Sequence, residues 1–197
     1  MTQNSTRTSA SEPVDRVARE TGGPMATPTT MRVNFDYKPA MRLALRQAQH
    51  VLDNNNQRGV VGTDGDIPVG AVILDPRGAI IAVGRNKRGE KADPLAHAEI
   101  EAMKAASIRL DSWNLEGCTL VVTLEPCPMC AGAAVMAHIR RIVFGAWDDK
   151  LGACGSVWDI PRDPHVGGSA EVYGGVLADE GAAIMTKFFA SRRASKH

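Results

Sequence analysis

The chain has 197 residues, of which 44% are hydrophobic and 23% are charged, an ordinary composition for a globular protein. Its 23 Lys and Arg against 22 Asp and Glu leave a formal net charge of +1, which excludes a uniformly basic nucleic-acid-binding surface. The longest apolar stretches, such as residues 131–137, are far shorter than the roughly 20 residues that a membrane span requires. Four cysteines are too few for a disulfide scaffold and the N-terminal residues contain no apolar secretory core, so we expect a cytoplasmic protein with reduced thiols.

The first 30 residues contain ten Ser or Thr and no aromatic residue. A segment this polar cannot bury enough apolar surface to offset the entropy lost on ordering. Its acidic residues, Glu12, Asp15 and Glu20, disfavour a transit peptide, which contains few acids. We therefore predict a disordered tail over residues 1–36 and a single domain over residues 37–197.

The rest of the chain alternates between helical and strand patterns. Apolar residues spaced for one helix face run from Pro39 to Asp53, and the polar residues 54–65 predict an exposed loop after them. The turn Asp75-Pro76-Arg77-Gly78 joins two β-branched runs and predicts a hairpin. Further helices are predicted at about 95–110, 128–138 and 177–195, and further strands at 118–124, 141–145 and 170–174. This alternation predicts one α/β domain with helices on both faces of a sheet.

Two short motifs carry the chemistry: His97-Ala98-Glu99 and, about thirty residues later, Pro126-Cys127-Pro128-Met129-Cys130. Thiols three residues apart at a helix start lie about one turn apart on one face, so both are able to bind one ion. The helix N-terminus also favours their thiolate forms. We therefore interpret His97, Cys127 and Cys130 as zinc ligands. Three protein ligands leave a fourth tetrahedral position for water, as in catalytic zinc sites.

Glu99 is the candidate general base at that position, where it would take a proton from water and return protons to substrate and leaving group. Residues 97 and 99 of a regular helix point about 200° apart, so both face one ion only if they straddle the helix start. In one arrangement Asp93 and Pro94 begin the helix and place His97 a full turn inside it. In the other, which we favour, a preceding turn leads into a helix that begins near His97.

The pair of cysteines alone is also typical of structural zinc half-sites and of redox motifs. Together with the preceding His-x-Glu, it matches the signature of zinc nucleobase deaminases. From about Met41 to about Arg193 the chain closely resembles the bacterial tRNA-specific adenosine deaminases, hydrolases that convert the wobble adenosine of an anticodon to inosine. The similarity is strongest in residues 67–72, 93–100, 123–133, 143–146 with 148, and 175–180.

This resemblance implies a three-layer cytidine deaminase-like α/β fold whose five-stranded mixed sheet has the order 2-1-3-4-5, with the first strand running against the others. It implies one zinc ion per subunit on His97, Cys127 and Cys130, and a zinc-activated water that attacks C6 of adenine with Glu99 as the proton shuttle. It also implies a homodimer whose interface helps to form the RNA groove. The expected partner is a tRNA anticodon loop. Neither DNA nor a membrane is expected to bind the protein.

The resemblance further implies a set of substrate contacts. Asn86 falls where the family has an asparagine that hydrogen-bonds the target nucleoside, and Val69 would pack on the flipped base. The backbone N–H groups of Ala98 and Cys127 lie near the ring in relatives. Asp148 occupies a position where the family contacts the backbone of the anticodon loop.

Two further features bear on RNA binding. Trp147 stands where many members of the family have a basic residue. The C-terminal helix has no acid in its later half, and Phe189, Arg192 and Arg193 are candidate RNA contacts there, because basic residues mixed with aromatic ones suit phosphate and base contact. For at least one of the two adjacent phenylalanines, burial against the core is the simpler interpretation.

Two other functions stay open at this point. Residues 125–130 are also similar to guanine deaminases, so the chain is alternatively a deaminase of free guanine- or cytosine-type bases or nucleosides. The second alternative is a catalytically silent, zinc-containing RNA-binding subunit. The presence of Glu99 argues against it, because a structural zinc site has no use for a neighbouring proton shuttle.

Overall fold

The computed structural model describes residues 35–58 and 65–194, with the backbone alone for residues 191–194. The tail predicted over residues 1–36 lies almost entirely outside the described residues, as do residues 59–64 of the polar segment. The disorder of the tail and the domain boundary at residue 37 therefore stay predictions.

Helices and strands alternate along the described chain as the sequence predicts. The elements are α1 (Lys38–Gln57), β1 (Gly70–Leu74), β2 (Ile80–Arg85), α2 (Arg88–Lys91), α3 (Ala98–Leu110), β3 (Thr119–Leu124), α4 (Pro128–Met136), β4 (Arg141–Ala146), a 3₁₀ helix (Ile160–Arg162), β5 (Glu171–Tyr173) and α5 (Ala178–Ala194). The sequence analysis did not predict α2 or the 3₁₀ helix, each of which is a single turn. Within the described ranges no helix has the length and apolar content needed to cross a bilayer.

The five strands form one sheet in the order β2-β1-β3-β4-β5. β1 is antiparallel to both of its neighbours, whereas β3, β4 and β5 run parallel to one another. The expected strand order, and the reversal of the first strand against the others, are therefore confirmed.

The central strands are buried on both faces, which explains their nearly continuous apolar sequence. Leu120 and Phe144 belong to a core shared with residues of α3 and α4, on one face of the sheet. Their sequence neighbours Val121 and Val143 point to the other face of the sheet and belong to a second core shared with α1 and α5. The domain therefore has the three layers that the resemblance implies.

The carboxyl ends of β3 and β4 lie at the same edge of the sheet, because the strands are parallel and Leu124 pairs with Ala146. α4 begins only four residues after β3 ends, with Pro128 at its first position, where a missing N–H costs nothing. This edge carries the residues that the sequence analysis assigns to chemistry.

The exposed loop predicted from residue 54 begins later than expected, because α1 continues to Gln57. Asn55 is buried in that last turn. Its Nδ2 donates a hydrogen bond to the Asp66 carbonyl (2.7 Å) and its Oδ1 accepts one from the Asp66 N–H (3.2 Å). This paired contact with a residue eleven positions away outweighs the poor helix propensity of asparagine.

The contact between β2 and α3 depends on Gly84. A Cβ at this position would overlap the Ala98 carbonyl and lie 2.5 Å from the Ala102 N, both of them backbone atoms of α3 that cannot rotate away. We expect Gly84→Ala to lower the free energy of unfolding by about 1–3 kcal/mol, as overpacking does elsewhere. Urea denaturation measures this change.

Gly132 of α4 provides the matched control, because a Cβ there meets no atom within 4 Å. Gly132→Ala is expected to leave stability unchanged or to raise it by up to about 1 kcal/mol, through helix propensity. Equal effects of the two substitutions would contradict the close packing of α3 on β2.

Candidate active site

The predicted metal ligands converge at the N-termini of α3 and α4. His97 is the N-cap of α3 and Cys127 the N-cap of α4, both in extended backbone conformation, and Cys130 lies in the first turn of α4. Since α3 begins at Ala98, the arrangement with a turn before the helix is confirmed. His97 therefore projects beyond the helix end while Glu99 lies at its second position.

The separations between the donor atoms fit a tetrahedral zinc ion. The Nδ1 atom of His97 lies 3.7 Å from the Sγ of Cys127 and 3.5 Å from the Sγ of Cys130, and the three atoms lie within 4.8 Å of one another. Zinc bonds of about 2.1 Å to nitrogen and 2.3 Å to sulfur at tetrahedral angles separate the two ligands by about 3.6 Å. The donor set and its spacing therefore suit zinc.

The pKa values of the two thiols are shifted in opposite directions. The pKa of Cys127 is lowered to about 4, chiefly because Cys130 donates a hydrogen bond to its thiolate, with a further contribution from His97. The pKa of Cys130 is raised, first by that same hydrogen bond and then by burial. The hydrogen bond to Cys127 likewise raises the pKa of His97. A cation that replaces the Cys130 proton gains both sulfurs as thiolates.

Glu99 is buried beside the three ligands. Its carboxyl group lies within hydrogen-bond reach of the Cys130 thiol, and both His97 and Cys127 act on its charge. Burial raises the pKa of Glu99 above its usual range, and the helix N–H groups and His97 oppose that rise. The structure thus places the predicted proton carrier next to the ligand set.

Asn86 lies in the segment that leads from β2 to α2. Its side-chain amide makes two of the four hydrogen bonds that it is able to make. Nδ2 donates to the Ile67 carbonyl (3.0 Å) and Oδ1 accepts from the Arg88 N–H (3.2 Å). An amide group has two N–H donors and two acceptor lone pairs, so one of each stays free for a ligand. Val69 is buried in the core shared with α3, and Ala98 occupies the first helical position, where the N–H has no intrahelical partner.

Asp66 fixes the Asn86 segment, a role that the sequence analysis missed. Its buried carboxylate accepts hydrogen bonds from the N–H groups of Gly89 (2.8 Å) and Glu90 (3.2 Å), at the start of α2. The polar sequence around Asp66 resembles an ordinary loop. The backbone N–H groups that bind its carboxylate lie 23 or more residues away, so the sequence near Asp66 does not indicate that the side chain is buried.

The candidate RNA contacts are distributed over the loop after β4 and over α5. Phe188 is only 3% exposed whereas Phe189 is 39% exposed, so the expected burial of one phenylalanine falls on Phe188. The side chains of Arg192 and Arg193 lie outside the described residues. The Oδ1 of Asp148 accepts hydrogen bonds from the N–H groups of Lys150 (3.0 Å) and Leu151 (3.2 Å). These bonds stabilise the turn in which Asp148 lies.

Glu125 fastens the loop after β4 to the site, and the sequence analysis gave it no role. Its buried carboxylate accepts hydrogen bonds from three backbone N–H groups of that loop: Asp148 (3.1 Å), Cys154 (2.9 Å) and Ser156 (3.1 Å). The loop also donates from the Ala153 N–H to the carbonyl of Pro126 (2.8 Å). An acid at the end of an apolar central strand is itself a signal, because burial there requires hydrogen-bond partners.

Replacing Glu125 with glutamine tests this attachment. In glutamine an NH₂ group replaces one of the two carboxylate oxygens. At least one of the three backbone N–H groups then faces another donor instead of an acceptor and stays without a hydrogen bond in the interior. We expect Glu125→Gln to lower the free energy of unfolding by about 1–3 kcal/mol in urea denaturation.

The exposed Glu116 serves as the matched control. Glu116→Gln is expected to change stability by less than about 0.5 kcal/mol. A Glu125→Gln variant as stable as this control would show that the three hydrogen bonds do not hold the loop.

The site falls inside a region matched by a known family. Residues 38–146 match the model of the cytidine and deoxycytidylate deaminase zinc-binding region. This range contains the three candidate ligands and Glu99, and it ends at the last residue of β4.

Individual relatives extend the match. A tRNA-specific adenosine deaminase of Bacillus subtilis is 42% identical over 132 residues, which are 67% of this chain and 81% of that protein. A tRNA(Ile)-lysidine synthase of Deinococcus deserti is 48% identical over 128 residues, 65% of this chain, but the match spans only 24% of that longer protein. A solved structure from a study of A-to-I editing by tRNA:A34 deaminases at the wobble position superposes with a TM-score of 0.65 and 38% identity, covering 73% of this chain and 96% of that one.

Proposed function

Since the chain belongs to the cytidine and deoxycytidylate deaminase zinc-binding family and, within it, to the tRNA-specific adenosine deaminases, we propose that it hydrolyses the wobble adenosine of a tRNA anticodon to inosine. The observation that carries this proposal is the convergence of His97, Cys127, Cys130 and Glu99 at two helix N-termini. A ligand set with a buried carboxylate beside it suits hydrolysis rather than a purely structural metal site.

His97, Cys127 and Cys130 would hold one zinc ion per subunit. When bound, zinc supplies Lewis acidity that lowers the pKa of a water molecule and so provides the nucleophile at neutral pH. The protein contributes a low-dielectric edge of the sheet and two helix N-termini whose partial positive charge stabilises the thiolates. His97 would bind the ion through Nδ1, the ring atom that faces both sulfurs.

Glu99 carries protons through the reaction. Its carboxylate accepts a proton from the attacking water and donates it to the ring nitrogen beside C6. The same carboxylate then carries the second proton of that water, from the hydroxyl now on C6, to the exocyclic amine, so that the C6–N bond breaks, ammonia leaves and C6 becomes a carbonyl. Water and adenosine are thereby converted to inosine and ammonia, and Glu99 returns to its starting state.

The remaining contacts hold the nucleoside. The free donor and acceptor of Asn86 suit a base edge or a ribose, and Val69 and the Ala98 N–H line the adenine ring. An adenine inside a stacked duplex is out of reach of the buried Glu99, so a base turned out of a single-stranded loop is the fitting substrate. Asp148, Phe189, Arg192 and Arg193 would contact that loop.

The assembly and its setting follow from the family relationship. We propose a homodimer whose interface helps to form the RNA groove, and a cytoplasmic enzyme that meets tRNA there. Light scattering of the full chain, alone and with an anticodon stem-loop, measures the oligomeric state and the stoichiometry.

A panel of substrates tests the activity directly. The protein is incubated with anticodon stem-loops that carry each of the four bases at the wobble position, and with free guanine, cytosine and adenosine. We expect ammonia release and inosine only from the stem-loop with adenosine at the wobble position. Deamination of free guanine or cytosine instead would favour a small-molecule deaminase, and no turnover of any substrate would favour a silent zinc subunit.

Glu99→Gln separates catalysis from binding. The amide keeps the shape of the side chain but cannot accept the proton, so turnover should fall at least about 10²-fold. Zinc content by elemental analysis and stem-loop affinity by fluorescence anisotropy should stay at wild-type values. Unchanged turnover would contradict the proposed role of Glu99.

Two controls accompany this variant. Glu116→Gln removes an exposed carboxylate and should leave turnover unchanged. Cys127→Ser should lose the bound zinc, whereas Cys118→Ser, which alters a buried thiol of the core, should retain it. Zinc retained by the Cys127 variant would contradict the ligand assignment.

A further inference from the structure

Trp147 is a large aromatic side chain left half in solvent beside the site. It is 54% exposed although it directly follows the buried strand β4. One edge packs on Phe144, with ring centroids 4.7 Å apart and planes at 87°. Gly174 makes room on that side, since a Cβ there would lie 2.7 Å from Trp147 Cζ2. The core therefore holds the indole while much of its surface stays open.

The ring stands at the same sheet edge as the zinc ligands. Because Leu124 pairs with Ala146 across parallel strands, Trp147 lies next to Glu125, two residues before Cys127. Gly155 lies against the indole, where a Cβ would be 3.7 Å from Cζ3. Gly155 lies between Cys154 and Ser156, whose N–H groups both donate to the Glu125 carboxylate. The indole is thus anchored to the frame that carries the site.

The surroundings favour stacking over ionic contact. The indole carries no charge, and the residues that follow it directly, Asp148, Asp149 and Lys150, are of mixed sign, so this turn offers no strong net attraction to phosphate. The nearby Arg162 is paired with Asp159 at 2.7 Å. An aromatic face binds any nucleobase without charge, and each base–aromatic stack contributes substantially to single-strand binding.

We propose that Trp147 is a stacking platform for a nucleobase next to the adenosine that is deaminated. The proposal rests on the proposed function, because it names an additional contact of the same RNA loop. Turning the target base out of the loop deprives its neighbour of a stacking partner, and the open indole replaces that partner. Trp147 binds RNA and takes no part in proton transfer.

The experiment compares four forms of the full-length chain: wild type, Trp147→Ala, Trp147→Phe and Trp113→Ala. Trp113 is the matched control, being 69% exposed and packed edgewise on His138 with ring centroids 5.3 Å apart, at the opposite edge of the sheet near the end of α4. Affinity for the wobble-adenosine stem-loop is measured by anisotropy at several salt concentrations. Turnover is measured at saturating and at subsaturating RNA.

We expect Trp147→Ala to weaken binding about 5- to 100-fold and to raise KM in proportion, with kcat unchanged. Trp147→Phe should recover most of the affinity, and Trp113→Ala should match wild type. The salt dependence of Kd should keep its slope in the Ala variant, because no phosphate contact is lost. 2-Aminopurine placed on either side of the target base should be quenched on binding at one of the two positions, and only when Trp147 is present.

Several results would overturn the proposal. An unchanged Kd in Trp147→Ala, equal losses in Trp147→Ala and Trp113→Ala, or unquenched 2-aminopurine at both positions would each do so. A change from dimer to monomer in Trp147→Ala, seen by light scattering, would assign the ring to a protein interface instead. Because wild-type turnover is recorded in parallel, failure of this inference is distinguishable from failure of the proposed function.

Discussion

The site depends on two helices that begin at one point. His97 and Cys127 are N-caps, so their backbones are extended and their side chains leave the helix axis at its positive end. One turn further on, Cys130 points the same way, and Glu99 lies only two residues beyond its N-cap. A shift of either helix start by one residue would rotate these side chains by about 100° and separate the donors. The parallel strands β3 and β4 and the close contact of α3 with β2 fix those starts.

Glu125 and Glu99, two buried carboxyl groups close to the candidate ligands, have different surroundings. Glu125 is satisfied by three backbone N–H groups at 2.9–3.1 Å, hydrogen bonds that contribute about 1.5–3 kcal/mol each when the acceptor is charged. Both oxygens of this side chain therefore bind the loop. Glu99 instead faces the ligand sulfurs and His97, and burial raises its pKa. The first carboxyl group holds the loop through its hydrogen bonds, and the second is placed where a proton exchange has partners.

Features that depend on residues close together in the sequence were predicted, and contacts between residues far apart in the sequence were missed. The spacing of the two cysteines predicted that both face one point, and the apolar run predicted β3, because each signal lies within a few residues. The strand order came from the family resemblance, since periodicity cannot rank strands. Asn55 with Asp66, and Glu125 with Ser156, are contacts across 11 and 31 residues. The polar sequence around Asp66 looks like a loop, and although the acid after the apolar strand β3 signals burial, nothing local identifies its partners.

The proposed metal ligands and the proposed contacts with the RNA loop lie in different parts of the chain. The matched family region ends at residue 146, after all the proposed metal ligands and Glu99. Trp147 is the next residue, and the loop that Glu125 holds follows it. One fold hosts many substrates, so the deaminase fold alone does not select the RNA. Selection requires groups that touch the rest of the substrate, and the proposed stacking of a base on Trp147, the residue after the partner of Leu124 in the sheet, would be one such contact.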